Sequence, residues 1–299
     1  LTWLHSLTSQ HLSALADRSG TELLVLSPNG HVEYHALAAE HGGAVWLDTE
    51  PGAAEGLSGF LERMRFLTRV EPRDVTADWA VVSLVGPSAA EALAAWAGAA
   101  PGAPAVAPVP PPKFPAGSVP AAPSSAYPVV PLAGGGFARH GRLGIDLVVP
   151  RPRLADLAAE LDVPVCGLWA YEALRVAARI ARVGPDTDHR SLPAEVGLLG
   201  PAVHLDKGCY RGQETVARVH HLGRPPRRLV LLHLDGVATD EPPAPHTPVT
   251  AAEGRAVGYL GTAVRHHELG MVALAVVKRS VGVDAPLRVG ESTAAIDPD

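Results

Sequence analysis

Apolar and polar positions near the start of the chain follow the pattern of a β-hairpin. Residues 21–26 (T-E-L-L-V-L) and 31–37 (H-V-E-Y-H-A-L) are runs in which apolar residues recur, and the turn sequence S-P-N-G lies between them. An Asn-Gly pair flanked by such runs is a strong hairpin signal, because glycine accepts the backbone angles of a tight turn. We therefore predict a hairpin here, with its turn at residues 27–30.

The rest of the first hundred residues mixes strand and helix patterns. Apolar residues at positions 57, 60, 61, 64 and 67 recur at helical spacing, which predicts an amphipathic helix. The other predicted elements are an amphipathic helix region over residues 1–20, strands at 44–48 and 79–85, and a helix from 86 through Trp96. The mixture is typical of an α+β fold.

A proline-rich stretch interrupts this pattern. Residues 101–131 contain eleven prolines and one charged residue, Lys113. Such a composition favours a linker or irregular surface segment, stiffened by polyproline-like geometry. Beyond it we predict a second hairpin, with strands at 136–139 and 143–149, and helices at 153–161 and 167–183.

The last part of the chain is different in texture. Short apolar runs separated by Gly- and Pro-containing turns predict a small β-barrel or sandwich. The predicted strands are residues 229–234, 248–251, 256–260, 262–265 and 271–277. The predicted domains are 1–85, 86–206 with the proline-rich insertion at 101–131, 207–226 as a linking segment, and 227–299.

Composition excludes several classes of protein. The chain has 299 residues, a net charge of −6 and a hydrophobic fraction of 47%, so it is not a basic nucleic-acid binder as a whole. No apolar run is as long as a membrane span. Its first residue is Leu1, and we expect further residues upstream in the natural protein.

Two distant cysteines argue against a disulfide framework. They suit a reducing compartment, and we expect a cytoplasmic location. Two thiolates also cannot supply the four ligands that usually hold an iron–sulfur cluster. Fourteen histidines include no HExxH arrangement, and we expect no bound metal. Cys166 precedes an apolar helix pattern, which favours a place in the core.

Residues 207–214, which read K-G-C-Y-R-G-Q-E, are the strongest candidate site. Glycines let the backbone approach a ligand closely. Lys207 and a following helix N-terminus would favour the thiolate of Cys209. Gln213 and Glu214 offer amide and carboxylate groups to a polar ring. The alternative is a tight turn whose cysteine is simply a small buried hydrophobe.

A second candidate is a positive stripe on the predicted helix at 167–183. Arg175, Arg179 and Arg182 fall at i, i+4 and i+7 there. The stripe either seats an anion, such as a glutamate tail or a phosphate, or is a solvated face paired with Glu172.

The segment around Cys209 resembles the signature of the YgfZ-type folate-binding proteins, relatives of the glycine-cleavage T-protein (aminomethyltransferase). Their mark is a K-G-C-Y-x-G-Q-E run followed by an alanine–arginine pair, here Ala217-Arg218. Further pieces agree in order and spacing over nearly the whole chain. They are Leu174-Arg175, the L-P-A-E run at 192–195, the basic run at 223–228, the hairpin at 26–32 and Gly86-Pro87.

The resemblance implies a fold and a function. The expected fold is a three-subdomain, T-protein-like α+β ring, with two α+β subdomains and a small C-terminal β-barrel. The family binds tetrahydrofolate, or a one-carbon derivative of it, in a central cavity. It assists assembly or repair of iron–sulfur proteins, including enzymes that modify tRNA. The implied partners are therefore folate and iron–sulfur client or assembly proteins.

The resemblance also suggests roles for single residues. Cys209 would attack a one-carbon unit on folate or ligate iron, with Lys207 favouring its thiolate. Tyr210 would stack on the folate rings, and Gln213 and Glu214 would hydrogen-bond the pterin or cap the helix. The remaining candidates are Arg175 and Arg228 for the glutamate carboxylates, and Glu195 of the L-P-x-E turn within the cofactor site.

Two departures bear on activity. The T-protein helix reads L-R-x-E-A-G, and its glutamate reads the pterin. Here the glutamate position is Ala177 and the glycine position is Arg179, which we expect to narrow the cavity. These changes favour an accessory factor over the alternative, a folate-dependent one-carbon (aminomethyl-type) transferase. A third alternative is an RNA-binding module at Arg224, Arg227 and Arg228, which the negative net charge disfavours.

Overall fold

The computed structural model describes residues 1–96, 126–235 and 241–298 of the chain. These residues form two compact units. Described residues of unit 1 are 1–24, 34–96 and 126–165, and those of unit 2 are 25–33, 166–235 and 241–298. Most of the predicted segment at 101–131 lies outside the described residues. None of the helices within the described ranges is long and apolar enough to cross a membrane.

Unit 1 is an antiparallel sheet covered by helices. Its seven strands follow the order β3-β2-β1-β5-β6-β7-β4. In chain order the elements are α1 (Thr2–Leu7), β1 (Ser19–Leu26), β2 (Val32–His41), β3 (Ala44–Thr49), α2 (Ala54–Met64), β4 (Trp79–Val85), α3 (Ala89–Trp96), β5 (Tyr127–Pro131), β6 (Phe137–His140), β7 (Gly144–Pro150), a 3-10 turn (Arg151–Arg153) and α4 (Leu154–Leu161).

The period-two pattern of β6 puts its side chains into two different cores. Ala138 packs with Leu93 of α3 and Leu157 of α4. Its neighbour Phe137 points the other way and packs with Val129. Both hairpins, the strands β3 and β4, and the helices α2, α3 and α4 confirm the predictions to within a few residues.

The predicted helix over residues 1–20 is wrong beyond Leu7. Three buried polar side chains bind the backbone there instead of facing solvent. Thr8 Oγ1 donates to Leu4 O at 3.0 Å, and Ser9 Oγ accepts from Leu24 N at 3.0 Å. Gln10 Nε2 donates to the carbonyl of Glu22 at 3.0 Å. Such side-chain bonds compete with the helix and hold the segment beside β1.

The end of the proline-rich stretch is a strand, contrary to prediction. β5 pairs with β1 and with β6, although prolines usually avoid central strands. Its pairing with β1 is short, over Ser19↔Pro128 and Gly20↔Tyr127. The buried Val129 anchors it in the core. Proline content alone therefore misled the prediction here.

Unit 2 contains a closed barrel with short helices. The barrel order is β10-β11-β8-β13-β12-β9. In chain order the elements are α5 (Leu168–Ala177), a 3-10 turn (Pro193–Glu195), α6 (Leu199–Ala202), α7 (Gln213–Leu222), β8 (Arg227–Asp235), β9 (Pro248–Ala251), β10 (Ala256–His266), β11 (Gly270–Lys278), β12 (Leu287–Val289) and β13 (Ser292–Ile296). The fold class, α+β with a C-terminal β-barrel, is confirmed.

Alternation along β8 fills the barrel and also seats α5. Leu232 points inward with Val230 and Leu234. Leu231 points outward and packs with Ala173 and Val176 of α5. The two faces together explain why this strand reads as one apolar run.

A β-bulge explains why two strands were predicted where one exists. The register of β10 against β11 shifts between Leu260 and Ala263. The fully buried Asp186 fills the interruption, because its Oδ1 accepts a hydrogen bond from Thr262 N at 2.6 Å. Gly261 is required beside it, since a Cβ there would lie 2.3 Å from Asp186 Oδ1.

The predicted arginine stripe is also wrong, because α5 ends at Ala177. Arg179 has a left-handed backbone, with φ 56°, so it and Arg182 leave the helix axis. Arg179 Nη2 pairs with Asp297 at 2.8 Å, and Arg182 Nη1 with Glu172 at 3.2 Å. Arg175 and Arg182 therefore share Glu172, as the alternative of a face paired with this residue expected, whereas Arg179 pairs with Asp297.

Candidate functional site

The strongest candidate residues lie on a tight loop ahead of α7, here called the Cys209 loop (residues 207–213). Gln213 Nε2 donates to Lys207 O at 3.2 Å, and Gln213 N donates to Tyr210 O at 3.2 Å. Gly212 adopts φ 82°, a left-handed angle that glycine accepts without strain. The side chain of Gln213 therefore closes the loop onto itself.

Lys207 and Tyr210 form the buried support of this loop. Both are buried, and Lys207 Nζ lies 5.1 Å from the centroid of the Tyr210 ring, a cation–π distance. Burial lowers the pKa of Lys207 to about 8 and raises the pKa of Tyr210 to about 12. The ring of Tyr210 is thus engaged inside the protein.

Cys209 and Glu214 lie on the outside of the loop. Both side chains are exposed, and Glu214 is in the first turn of α7. The alternative of Cys209 as a small buried hydrophobe is therefore wrong. Cys166 is also exposed, contrary to the expectation of a core position, because it precedes α5 instead of lying on its buried face.

Glu195 belongs to a charged cluster beside the barrel. It is buried, and its Oε2 accepts from Arg227 Nη2 at 2.8 Å and from Leu192 N at 3.0 Å. Asp188 shares the same arginine, at 2.7 Å from Arg227 Nη1. Ser191 joins Asp188 to Tyr259, with 3.0 Å between the two hydroxyl oxygens.

The cluster lowers the pKa of Asp188. Burial acts to raise the pKa of Asp188, but hydrogen bonds from Arg227 and Ser191 outweigh it and lower that pKa to about 2. Asp188 was not among the predicted site residues. The signal was present in D-H-R-S-L-P-A-E, residues 188–195, where two acids and a serine share one short turn.

Arg175 lies in a separate buried network. Its guanidinium donates to Glu172 Oε2 at 2.7 Å, to Asp186 Oδ2 at 2.8 Å and to Thr262 Oγ1 at 2.7 Å. Two carboxylates already surround this cation, so a ligand carboxylate would have to displace one of them. The geometry therefore favours a structural role, holding α5 against the bulge of β10.

Arg228 has spare hydrogen-bonding capacity. Its Nη2 donates to Val281 O at 2.9 Å. Its Nε is buried and has no hydrogen-bond partner among the described residues. A buried guanidinium N–H without a partner is costly, and an incoming carboxylate would satisfy it.

The two departures from the T-protein pattern fall at the end of α5. Ala177 is the last residue of the helix, and its methyl group cannot read a pterin. Arg179 takes the left-handed angle at which glycine commonly ends a helix. The left-handed backbone angle alone therefore explains why the T-protein pattern has glycine at this position. The expected narrowing of a cavity by Arg179 is not needed as an explanation.

Within residues 1–96, 126–235 and 241–298, no group of three or more His, Cys, Asp or Glu is placed to hold a metal ion.

Similarity to known proteins is consistent with this architecture. Residues 227–299 match the family model described as the CAF17 C-terminal β-barrel domain. The chain is 35% identical over 155 residues to an aminomethyltransferase of Rippkaea orientalis (strain PCC 8801 / RF-1), a match that covers 50% of this chain and 40% of the relative. The chain thus spans less than half the length of this curated relative.

A solved structure extends the likeness to the whole fold. The crystal structure of glycine cleavage system aminomethyltransferase T from Bartonella henselae aligns with a TM-score of 0.75 and 17% identity. The alignment covers 100% of this chain and 80% of that chain. The protein therefore has a T-protein-like fold, and its C-terminal barrel resembles the CAF17 C-terminal β-barrel domain.

Proposed function

We propose that this protein binds tetrahydrofolate, or a one-carbon derivative of it, as a YgfZ-type accessory factor. It would assist assembly or repair of iron–sulfur proteins, including enzymes that modify tRNA. The observation that carries the proposal is the exposed thiol of Cys209 on a loop closed by Gln213. The T-protein-like fold supports folate as the ligand.

The residues of unit 2 offer groups that match parts of folate. Arg228 has a buried Nε free to receive a glutamate carboxylate. Glu214 is exposed and can accept hydrogen bonds from the amino group of a pterin. Arg175 and Glu195 are less suited to contact a ligand, since their charged groups are already paired inside the protein.

Lys207, Tyr210 and Gln213 would act through the shape of the loop. Lys207 and Tyr210 are buried against each other, and Gln213 binds the loop backbone. They present Cys209 to solvent, where a thiolate can act as a nucleophile or bind iron of a client protein. Bound folate would supply the one-carbon unit.

The second candidate function is aminomethyl transfer. It is favoured by the 35% identity to an aminomethyltransferase. Ala177 opposes it, because the position of the pterin-reading glutamate carries no polar group. We therefore rank the accessory role first. The two free, exposed cysteines suit a reducing compartment, and we infer that the protein acts in the cytoplasm.

Two measurements on the intact protein separate these functions. With tetrahydrofolate and an aminomethyl donor, the proposed role predicts no turnover, and it predicts that tetrahydrofolate slows alkylation of Cys209. Alkylation of Cys166 in the same sample is the internal control and should not change. Turnover would establish the transferase. Unprotected Cys209 together with full activity of Cys209→Ala in reactivating an iron–sulfur enzyme would remove this thiol from the site.

A further inference from the structure

The turn of the first hairpin lies against the Cys209 loop, although the two are far apart in the sequence. Gly212 is the residue directly before α7. A Cβ atom on it would lie 2.6 Å from Ser27 O and 2.8 Å from Gly30 Cα. Real Cβ atoms do not approach backbone this closely, so only glycine fits at this contact.

The contact is reciprocal. Gly30 adopts φ 78°, and a Cβ on it would lie 2.9 Å from Thr215 Cβ and 3.1 Å from Gly212 O. Thr215 is in the first turn of α7. Two left-handed glycines therefore pack against each other. Neither carries a side chain that would separate the turn from the loop.

The turn is rigid enough to position its partner. Gly30 N donates to Ser27 O at 2.9 Å. Ser27 Oγ accepts from Asn29 N at 3.2 Å and from His31 N at 3.1 Å. With its own backbone groups bound in this way, the turn cannot yield easily when its neighbour moves.

Two further contacts flank the glycine pair. Val32 N donates to Ser191 O at 2.9 Å, next to the Asp188 and Glu195 cluster. Arg211 Nη2 pairs with Glu33 Oε1 at 3.2 Å. The pair is partly exposed and is worth little alone. The Arg211–Glu33 pair adds a second contact between the first hairpin and the Cys209 loop.

We infer that the hairpin turn at residues 27–30 is the positioning element of the Cys209 loop, with Gly30 and Gly212 as its positioning residues. This inference rests on the proposed function, because it says how the fold holds the Cys209 loop in the geometry that the function needs. Gly212 is three residues from Cys209, and the next residue, Gln213, closes the loop by donating to Lys207 O. A displacement of Gly212 is therefore transmitted to the thiol.

The test is the ratio of alkylation rates at Cys209 and Cys166, measured by mass spectrometry with iodoacetamide and no folate. General loosening of the protein affects both exposed cysteines, whereas misplacement of the loop changes Cys209 alone. In Gly30→Ala the added methyl group would push the Cys209 loop away from the turn. We expect the ratio to change about tenfold, which corresponds to ~1.4 kcal/mol. Gly212→Ala should shift it in the same direction.

Gly254→Ala is the matched control. Gly254 has φ 81°, and nothing lies within 4 Å of its added Cβ, so the substitution strains the backbone without touching the loop. Its ratio should equal that of the wild-type protein. A folded Gly30→Ala protein with an unchanged ratio, or an equal change in Gly254→Ala, would overturn the inference.

A milder variant decides the matter if Gly30→Ala does not fold. Ser27→Ala removes the acceptor of two turn hydrogen bonds and adds no atoms, so it should shift the ratio less, in the same direction. An unchanged ratio would also overturn the inference. Because no folate is present, a protein that fails to bind folate but shows the shift would refute the proposed function alone.

Discussion

Lys207 carries its charge where little water can reach it. It is 4% exposed, and burial lowers its pKa from 10.5 to about 8. Its ammonium nitrogen lies 5.1 Å from the centroid of the Tyr210 ring. Cation–π attraction offsets only part of the cost of removing an ammonium group from water. Burial of Lys207 in the loop therefore lowers the free energy of unfolding when this side chain is charged.

This burial predicts how stability depends on pH. Between pH 8 and 10.5 the unfolded chain keeps the proton on Lys207 and the folded protein releases it. Since the unfolded state binds more protons, the free energy of unfolding rises with pH across this window. Relative to Lys207→Met, the wild-type protein should gain up to about 3 kcal/mol there, at 1.36 kcal/mol per pKa unit.

Urea titrations at several pH values measure that gain. Lys278→Met is the control, because Lys278 is exposed at the end of β11. This variant keeps Lys207, so the gain that comes from Lys207 should remain. A constant difference between the wild type and Lys207→Met from pH 8 to 10.5 would contradict the buried ammonium group.

At the scale of the element, the end of α5 determines the directions of Arg179 and Arg182. The helix stops at Ala177, and Arg179 takes the left-handed angle two residues later. A residue other than glycine pays about 1 kcal/mol or more there. The ion pair with Asp297 compensates part of that cost. The chain then turns so that Arg182 pairs with Glu172.

This geometry predicts an unusual order of stabilities. At position 179 the glycine variant should exceed Arg179→Ala by about 1 kcal/mol, because only glycine accepts φ 56° without strain. Both variants lose the same ion pair, so the comparison isolates the backbone. Arg182, which is not left-handed, supplies the control pair, and there alanine should be at least as stable as glycine. Chemical denaturation measures all four, and alanine equal to glycine at position 179 would refute the explanation.

Local patterns predicted elements well and long-range contacts poorly. Runs rich in apolar residues, joined by an Asn-Gly or a Gly-containing turn, predicted both hairpins, because the paired strands and their turn are close in the sequence. The helix predicted over 1–20 failed because Ser9 and Gln10 bind strand β1, a partner that periodicity cannot show. The stripe of arginines failed for the same reason, since Asp186 and Thr262 determine where Arg175 points.

The candidate site was predictable in composition but not in roles. The unusual K-G-C-Y-R-G-Q-E run identified the Cys209 loop, and glycine at 212 indicated a sharp turn. That Lys207 and Tyr210 lie inside, with Cys209 outside, depends on packing. That Gly30 is the neighbour of Gly212 depends on the tertiary fold. The spacing of residues along the loop predicts neither this burial nor this contact.

At the scale of the whole molecule, the T-protein-like fold and the CAF17-type barrel limit the functions to consider. The proposed function requires this molecule to bind tetrahydrofolate. Among the residues of unit 2, Arg228 is the best position at which to test folate binding by substitution. Its buried Nε has no hydrogen-bond partner among the described residues. Arg175 is a poor reporter, because its loss would leave Asp186 buried and unpaired.

The most direct test is calorimetric titration of tetrahydrofolate into the anaerobically purified protein, repeated with Arg228→Met. Arg288→Met is the control, because Arg288 is an exposed barrel arginine that donates to Glu291 O. We expect saturable binding to the wild type and the control, and affinity at least about tenfold lower for Arg228→Met, a loss of ~1.4 kcal/mol. The absence of saturable binding to the wild-type protein would contradict the proposed binding of tetrahydrofolate.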